Sequence, residues 1–223
     1  MNMEIHKYID HTLLKATATE SEIITLCSEA KQHNFYAVCV NGSYVELAAE
    51  ELTETNVKVA AVIGFPLGAM TTEAKVFEAK DCIKNGASEI DMVINVGKLL
   101  EGAFDYVENE IRLIKEGIGE NILKVIFENC YLSKEQIQKV SELALKAGAD
   151  FIKTSTGFGT GGATFDDVQL MKDVVKDKVQ IKAAGGIRDI ATAKKYIEMG
   201  VTRLGTSSGV ALVTSGFSDS KGY

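Results

Sequence analysis

Proline is nearly missing. The chain has 223 residues and one proline, Pro66, with no low-complexity block or charge run between its parts. Nothing in it reads as a linker. The expected organisation is therefore one domain, 1–223, with a mobile tail at 217–223. Cysteine is sparse too. Cys27, Cys39, Cys82 and Cys130 form no C-x-x-C pair. A chain of this size needs no disulfide scaffold, so reduced thiols and a cytoplasmic location are expected. Histidine is limited to His6, His11 and His33, without H-x-x-x-H or H-E-x-x-H spacing. Chemistry with no metal and no cofactor is the expectation. No run of eighteen apolar residues occurs, and MNMEIHKYIDHTLL lacks the apolar core of a signal segment. Neither membrane insertion nor secretion is expected. The G-x-S-x-G elbow of a serine hydrolase is also missing.

What is present is an ordinary globular composition, 46% hydrophobic and 25% charged, with a net charge of −7. Such a chain has no global attraction for nucleic acid or an anionic membrane. If it handles a phosphorylated substrate, it must build a local positive site.

Eight short apolar runs rich in β-branched residues predict strands at 8–14, 36–40, 57–63, 89–94, 123–127, 151–154, 179–183 and 203–205. Amphipathic stretches lie between them. Thr19 with Glu22 and Ser133 with Gln136 fit capping boxes, which satisfy orphan backbone N–H groups at helix starts. Eight β/α units in one compact chain predict a single (β/α)8 TIM barrel. An open doubly wound sheet is the alternative, but its G-x-G-x-x-G turn after the first strand is missing.

A weak repeat sharpens the barrel reading. KNGASEID, KAGADFIK and EMGVTRLG each run from a helix end, through a glycine cap, into a strand. HNFYAVCV follows the same layout with Asn34 as the cap. Five residues beyond each cap lie Cys39, Asp91, Lys153 and Gly205. Equal offsets predict equal heights on the strands, and alternate strand residues point into a barrel. One layer would then gather a thiol, a carboxylate, an amine and a gap for ligand.

Lys153 in ADFIKTSTG and Lys182 in VQIKAAGGIR are the most informative residues. Each sits in or at the end of an apolar strand. Barrel strands are buried on both faces, and an ammonium is costly to bury unless paired or neutralised. Burial and a neighbouring like charge both lower a lysine pKa. An amine so affected attacks carbonyls to form a Schiff base. The plain alternative is two core ion pairs. Asp91, in SEIDMVINVG, alternates with Val93 and Asn95 to one face. A carboxylate beside two amines can shuttle the protons that imine chemistry requires, or form a simple salt bridge.

Phosphate binding has its own pattern. AAGGIRD follows the seventh strand and GTSSGV the eighth, the position where barrels often hold phosphate. Gly185 and Gly186 allow backbone N–H groups to approach an anion, while Arg188, Ser207 and Ser208 add charge and hydroxyl donors. STGFGTGG, after Lys153, forms a third flexible loop. Asp10 and His11 on the first strand suit hydrogen bonding better than ligation. Cys39 suits packing better than nucleophilic attack.

These residues resemble the deoxyribose-phosphate aldolase family. YIDHTLL, AVCVN, VIGFPLGAMTTEAK, EIDMVINVG, ADFIKTSTGFGTGGAT, IKAAGGIR and GTSSG carry the resemblance, from residue 8 to about 209. It implies reversible cleavage of 2-deoxy-D-ribose 5-phosphate into acetaldehyde and D-glyceraldehyde 3-phosphate, in deoxyribose phosphate catabolism. It implies Lys153 as Schiff-base former, Lys182 as the group lowering its pKa, and Asp91 as proton relay through a bound water. Asp10 and Thr12 would help hold the sugar, and Cys39 would line the pocket. Gly185, Gly186, Ser207 and Ser208 would bind phosphate. Tyr223 would belong to a mobile tail that reaches the site, and a homodimer or higher homo-oligomer is implied. Departures exist. Phe158 stands where some members carry a lysine after KTSTG, Asn129 stands where threonine is expected, and prolines are missing after Lys15 and Asn41. Two other readings compete. An isomerase of sugar phosphates would need a carboxylate or histidine base and no imine. A sensor of a phosphorylated metabolite would bind without turnover.

Overall fold

The structure is a computed structural model and describes residues 3–217. Eight parallel strands close in sequence order: β1 (Ile9–Thr12), β2 (Ala37–Asn41), β3 (Lys58–Ile63), β4 (Glu89–Val93), β5 (Ile122–Ile126), β6 (Phe151–Lys153), β7 (Gln180–Ala184) and β8 (Arg203–Thr206). Helices α1 (Glu20–His33), α2 (Val45–Glu51), α3 (Thr72–Lys84), α4 (Val96–Leu100), α5 (Phe104–Ile118), α6 (Lys134–Lys146), α7 (Phe165–Val175), α8 (Ile190–Glu198) and α9 (Gly209–Thr214) fill the connections. This is the TIM barrel, not the open sheet. Among the described residues, no helix is long and apolar enough to cross a membrane. The predicted strands all form, with ends shifted by one or two residues. The predicted tail begins at Phe217, which bridges to Asp189. Residues 218–223, Tyr223 among them, lie outside the described residues.

Local signals set the elements. The capping boxes form at Thr19 and Ser133. Asn34 takes the left-handed conformation at φ 52°, and Gly86, Gly148 and Gly200 take positive φ as well. Each reverses the chain from a helix into the next strand. On α5, Val107, Ile111, Ile114 and Ile118 are buried at helical spacing. Burying each stabilises the fold by roughly 1.5–3 kcal/mol. Asn95 corrects an expectation. It does not continue the face of β4, because its side chain caps α4 by accepting from the Lys98 N–H at 3.1 Å.

Register decides what the barrel encloses. Followed partner by partner round the barrel, the pairing returns to β1 displaced by eight residues. That is the shear of an eight-stranded barrel, one residue of climb per strand. Inward residues of alternate strands therefore stack in layers. The lowest holds Ala37, Glu89, Phe151 and Arg203. The middle one holds Asp10, Ala60, Lys124 and Lys182. The upper one holds Cys39, Asp91, Lys153 and Gly205, the four residues that lie five beyond a cap. Barrel interiors are usually filled with Val, Ile and Leu. Here seven of these twelve positions carry an acid, a lysine or an arginine.

Candidate active site

The seven charged residues are buried, so they must satisfy one another. Glu89 and Arg203 start the chain at the bottom. Arg203 donates to Glu89 at 2.9 and 3.3 Å and to Asp10 at 2.9 Å. Lys124 lies 2.6 Å from Glu89 and 2.7 Å from Asp91. Lys182 pairs with Asp10 and reaches Asp91 at 2.8 Å. Lys153 reaches Asp91 at 2.8 Å and ends the network, 3% exposed.

Three carboxylates thus face four cations. One cation is in excess, and the environment selects it. Lys182 touches two carboxylates, and Asp10 with Asp91 overcomes burial and holds its pKa well above the usual lysine value. Lys124 is held up in the same way, against burial, by Asp91 and Glu89. Lys153 has a single carboxylate. Burial, together with the Lys182 charge, outweighs the pull of Asp91 and lowers its pKa. Asp91 moves the opposite way. Burial would raise it, yet Lys124, Lys153 and Lys182 keep it well below the usual carboxylate range. Lys153 is therefore the amine that gives up its proton most easily.

Cys39 shares the layer of Lys153. Burial pushes its thiol up, so it faces the site as a neutral group. Thr12 is buried one step above Asp10, and its hydroxyl donates to the Asp10 carbonyl at 2.8 Å. His11 points away from the barrel interior, with Nε2 2.7 Å from Glu29 on α1.

Above the amine, the loops after β6, β7 and β8 enclose a cavity of about 210 Å³. Gly185, Gly186, Arg188, Ser207 and Ser208 line it, as does Gly205 from the Lys153 layer. The cavity therefore opens onto the level of the amine. Two loops touch through glycine. A Cβ on Gly162 would sit 2.3 Å from the Gly185 carbonyl oxygen, so no side chain fits there. Thr206 joins the other pair, donating to the Ile187 carbonyl and accepting from the Ser208 N–H at 3.0 Å. Arg188 supplies the positive charge on the rim. Phe158 packs edge-on against Phe65, with ring centroids 5.4 Å apart.

The DeoC/LacD family aldolase pattern matches residues 5–213. The chain belongs to that family. A deoxyribose-phosphate aldolase of Exiguobacterium sp. is 54% identical over 98% of this chain and 99% of its own. One from Deinococcus radiodurans is 54% identical over 96% of this chain and 97% of its own. The deoxyribose phosphate aldolase of Aeropyrum pernix, described as a unique tetramer, superposes with a TM-score of 0.86. It is 31% identical and covers 95% of this chain and 90% of its own.

For an aldolase, a carbon–carbon lyase, the layered interior brings together an amine whose pKa is lowered, a carboxylate, and a second amine whose pKa is raised. Sequence reasoning missed three members of it, Glu89, Lys124 and Arg203. The signal that pointed to Lys153 and Lys182, a charge within an apolar strand, is present also at Lys124 in ILKVI and Arg203 in RLGT, but it does not by itself say which such charges the barrel encloses.

Proposed function

We propose that this aldolase reversibly cleaves 2-deoxy-D-ribose 5-phosphate to acetaldehyde and D-glyceraldehyde 3-phosphate through a Schiff base on Lys153. One observation carries the reading. Of the four interior cations, Lys153 is the one held by a single carboxylate, and it lies in the layer onto which the anion cavity opens.

The chemistry follows from the amine. Neutral Lys153 attacks the C1 aldehyde of the open-chain sugar, giving a carbinolamine that loses water to an iminium. A base removes the C3 hydroxyl proton, the C2–C3 bond breaks, and its electrons move into the iminium as an enamine. D-Glyceraldehyde 3-phosphate departs. A proton added at C2 and a water added at C1 release acetaldehyde and restore the amine. Asp91, which lies 2.8 Å from both Lys153 and Lys182, holds and returns these protons together with Lys182. Asp10 keeps Lys182 charged from below. Cys39 and Thr12 line the sugar channel. The glycine N–H groups of Gly185 and Gly186, with Ser207, Ser208 and Arg188, take the phosphate. The reaction suits breakdown of deoxyribose phosphate by one domain with a C-terminal tail. The four thiols suit a cytoplasmic setting, being unpaired. Exposed Leu67 and Phe77 suit assembly into a homodimer or larger oligomer.

The isomerase alternative is weaker because Asp91, the carboxylate in the layer of Lys153, has both oxygens engaged by lysines. The test is borohydride reduction in the presence of 2-deoxyribose 5-phosphate, read by intact mass and peptide mapping. An adduct on Lys153 is expected. An adduct on Lys182 would exchange the two lysine roles. No adduct, with folded protein and intact substrate, would overturn the aldolase mechanism in favour of another substrate or a binding protein.

A further inference from the structure

Glu128 lies two residues beyond the end of β5 and is 3% exposed. Its backbone is left-handed at φ 57°. Outside helix caps and turns, a buried non-glycine residue in that conformation is uncommon and is held there by its surroundings. The surroundings here are the loop that follows Lys153. Glu128 Oε1 accepts from the Thr156 N–H at 3.1 Å, and Oε2 pairs with the Thr156 hydroxyl. The same hydroxyl accepts from the Phe158 N–H at 3.0 Å.

The rest of the loop shows what this anchor holds. At its start, the Asn129 N–H reaches the Thr154 carbonyl at 3.0 Å. At its end, the Ala163 N–H reaches the Ala184 carbonyl at 3.0 Å. Between these points, Gly157, Gly159, Gly161 and Gly162 line the anion cavity. The loop folds back over the carboxylate, since a Cβ on Gly159 would come within 3.0 Å of Glu128 Cδ. Burial pushes the Glu128 carboxyl up, while Thr156 and the charge of Lys153 act against it. Glu128 therefore touches, at Thr156 and Gly159, the segment that runs from the nucleophile to the anion cradle.

We infer that Glu128 is a positioning residue that acts through Thr156 to hold the cavity wall at a fixed distance from Lys153, and so sets the preference for phosphorylated over unphosphorylated sugar. This deepens the reading above and rests on it. A substrate anchored at both ends needs its two contacts correctly spaced, and a displacement of about 1 Å can cost on the order of a hundredfold in rate. An unphosphorylated sugar uses one end and does not depend on the spacing.

The test compares kcat and KM for 2-deoxyribose 5-phosphate and for 2-deoxyribose in the wild type, Glu128→Ala, Glu128→Gln and Thr156→Val. In Glu128→Ala, the ratio of the two kcat/KM values is expected to fall about tenfold or more, mainly through KM for the phosphorylated sugar. Thr156→Val should lower it in the same direction, and the double variant should lose less than the product of the two. Glu128→Gln keeps the shape and the Oε1 acceptor and should restore most of the ratio. An unchanged ratio in Glu128→Ala and Thr156→Val would overturn the proposal. Equal losses on both sugars would mean a purely structural role and would overturn it too. A wild-type ratio near one would instead overturn the phosphorylated-substrate reading, and the proposal with it.

Discussion

Lys153 and Lys182 donate to the same oxygen of Asp91, each at 2.8 Å. Two ammonium groups around one carboxylate oxygen repel each other, and Asp10 beneath Lys182 decides which keeps its proton. This arrangement and the charge count around it lead to the expectations below.

Lys153→Ala should lose turnover by about 10⁴-fold or more and still fold. Removal of Lys153 leaves Asp10, Glu89 and Asp91 facing Lys124, Lys182 and Arg203, a balanced interior with every group paired. Initial rates together with circular dichroism check this. Near-normal turnover would rule Lys153 out as the nucleophile.

Lys182→Met should move the acid limb of the kcat/KM profile to higher pH. The free amine of Lys153 is the active form, so rate is lost as pH falls through its lowered pKa. Loss of the neighbouring positive charge raises that pKa, since one of the forces lowering it is gone. Lys153 then becomes the third cation opposite three carboxylates and keeps its proton. A pH–rate series measures the shift. A limb that stays in place, or moves to lower pH, would count against the assigned role of Lys182.

Stability should fall steeply below about pH 4. Burial would raise the Asp10 pKa, but Arg203, Lys182 and Lys124 hold it down to about 2. A carboxyl lowered in the folded state binds protons more readily when unfolded. Its stabilisation is present above the unfolded pKa and is lost as pH falls toward the folded one. Asp91 adds to the same window, being held below its usual range. Thermal midpoints between pH 5 and pH 2 should show the loss, and Asp10→Asn should have a shallower slope there. Equal slopes would mean that Asp10 is not set by its partners.

Arg188→Ala should raise KM for a phosphorylated sugar by about tenfold or more and leave kcat within a few fold. Arg188 lines the cavity beside the loop after β7, and in the proposed reaction its charge meets the phosphate and not the reacting carbon. Added salt should raise KM in the wild type more than in the variant, because exposed charge is screened. A fall in kcat alone would place Arg188 elsewhere in the reaction.

Much of the fold was legible because its signals are local. A left-handed cap at Asn34, Gly86, Gly148 or Gly200 needs no distant partner, and each is followed by its strand at one fixed offset. The layer of Cys39, Asp91, Lys153 and Gly205 could therefore be read in advance. Lys124 could not be read so directly. Lys58 and Lys124 are both lysines near the start of an apolar strand, yet Lys58 is exposed at the first position of β3 and Lys124 is buried within β5. Which of them the barrel encloses depends on register around the closed sheet. Arg203 and Glu89 were missed for the same reason. Glu128 gave no signal, because nothing nearby in ENCYLS announces a left-handed glutamate reaching Thr156.

The sequence by itself determined the alternation of strands and helices, the caps between them, and the presence of two lysines in apolar strands. Those features follow from neighbours within a few residues. Tertiary structure decided which lysine has its pKa lowered and which has it raised. FIK and QIK are nearly alike as local sequence, so nothing local says which amine holds its proton less tightly. Asp10, 172 positions away in the chain, pairs with Lys182 and not with Lys153. Proton affinity depends on distance through space and on exclusion of water, and both exist only once the barrel has closed.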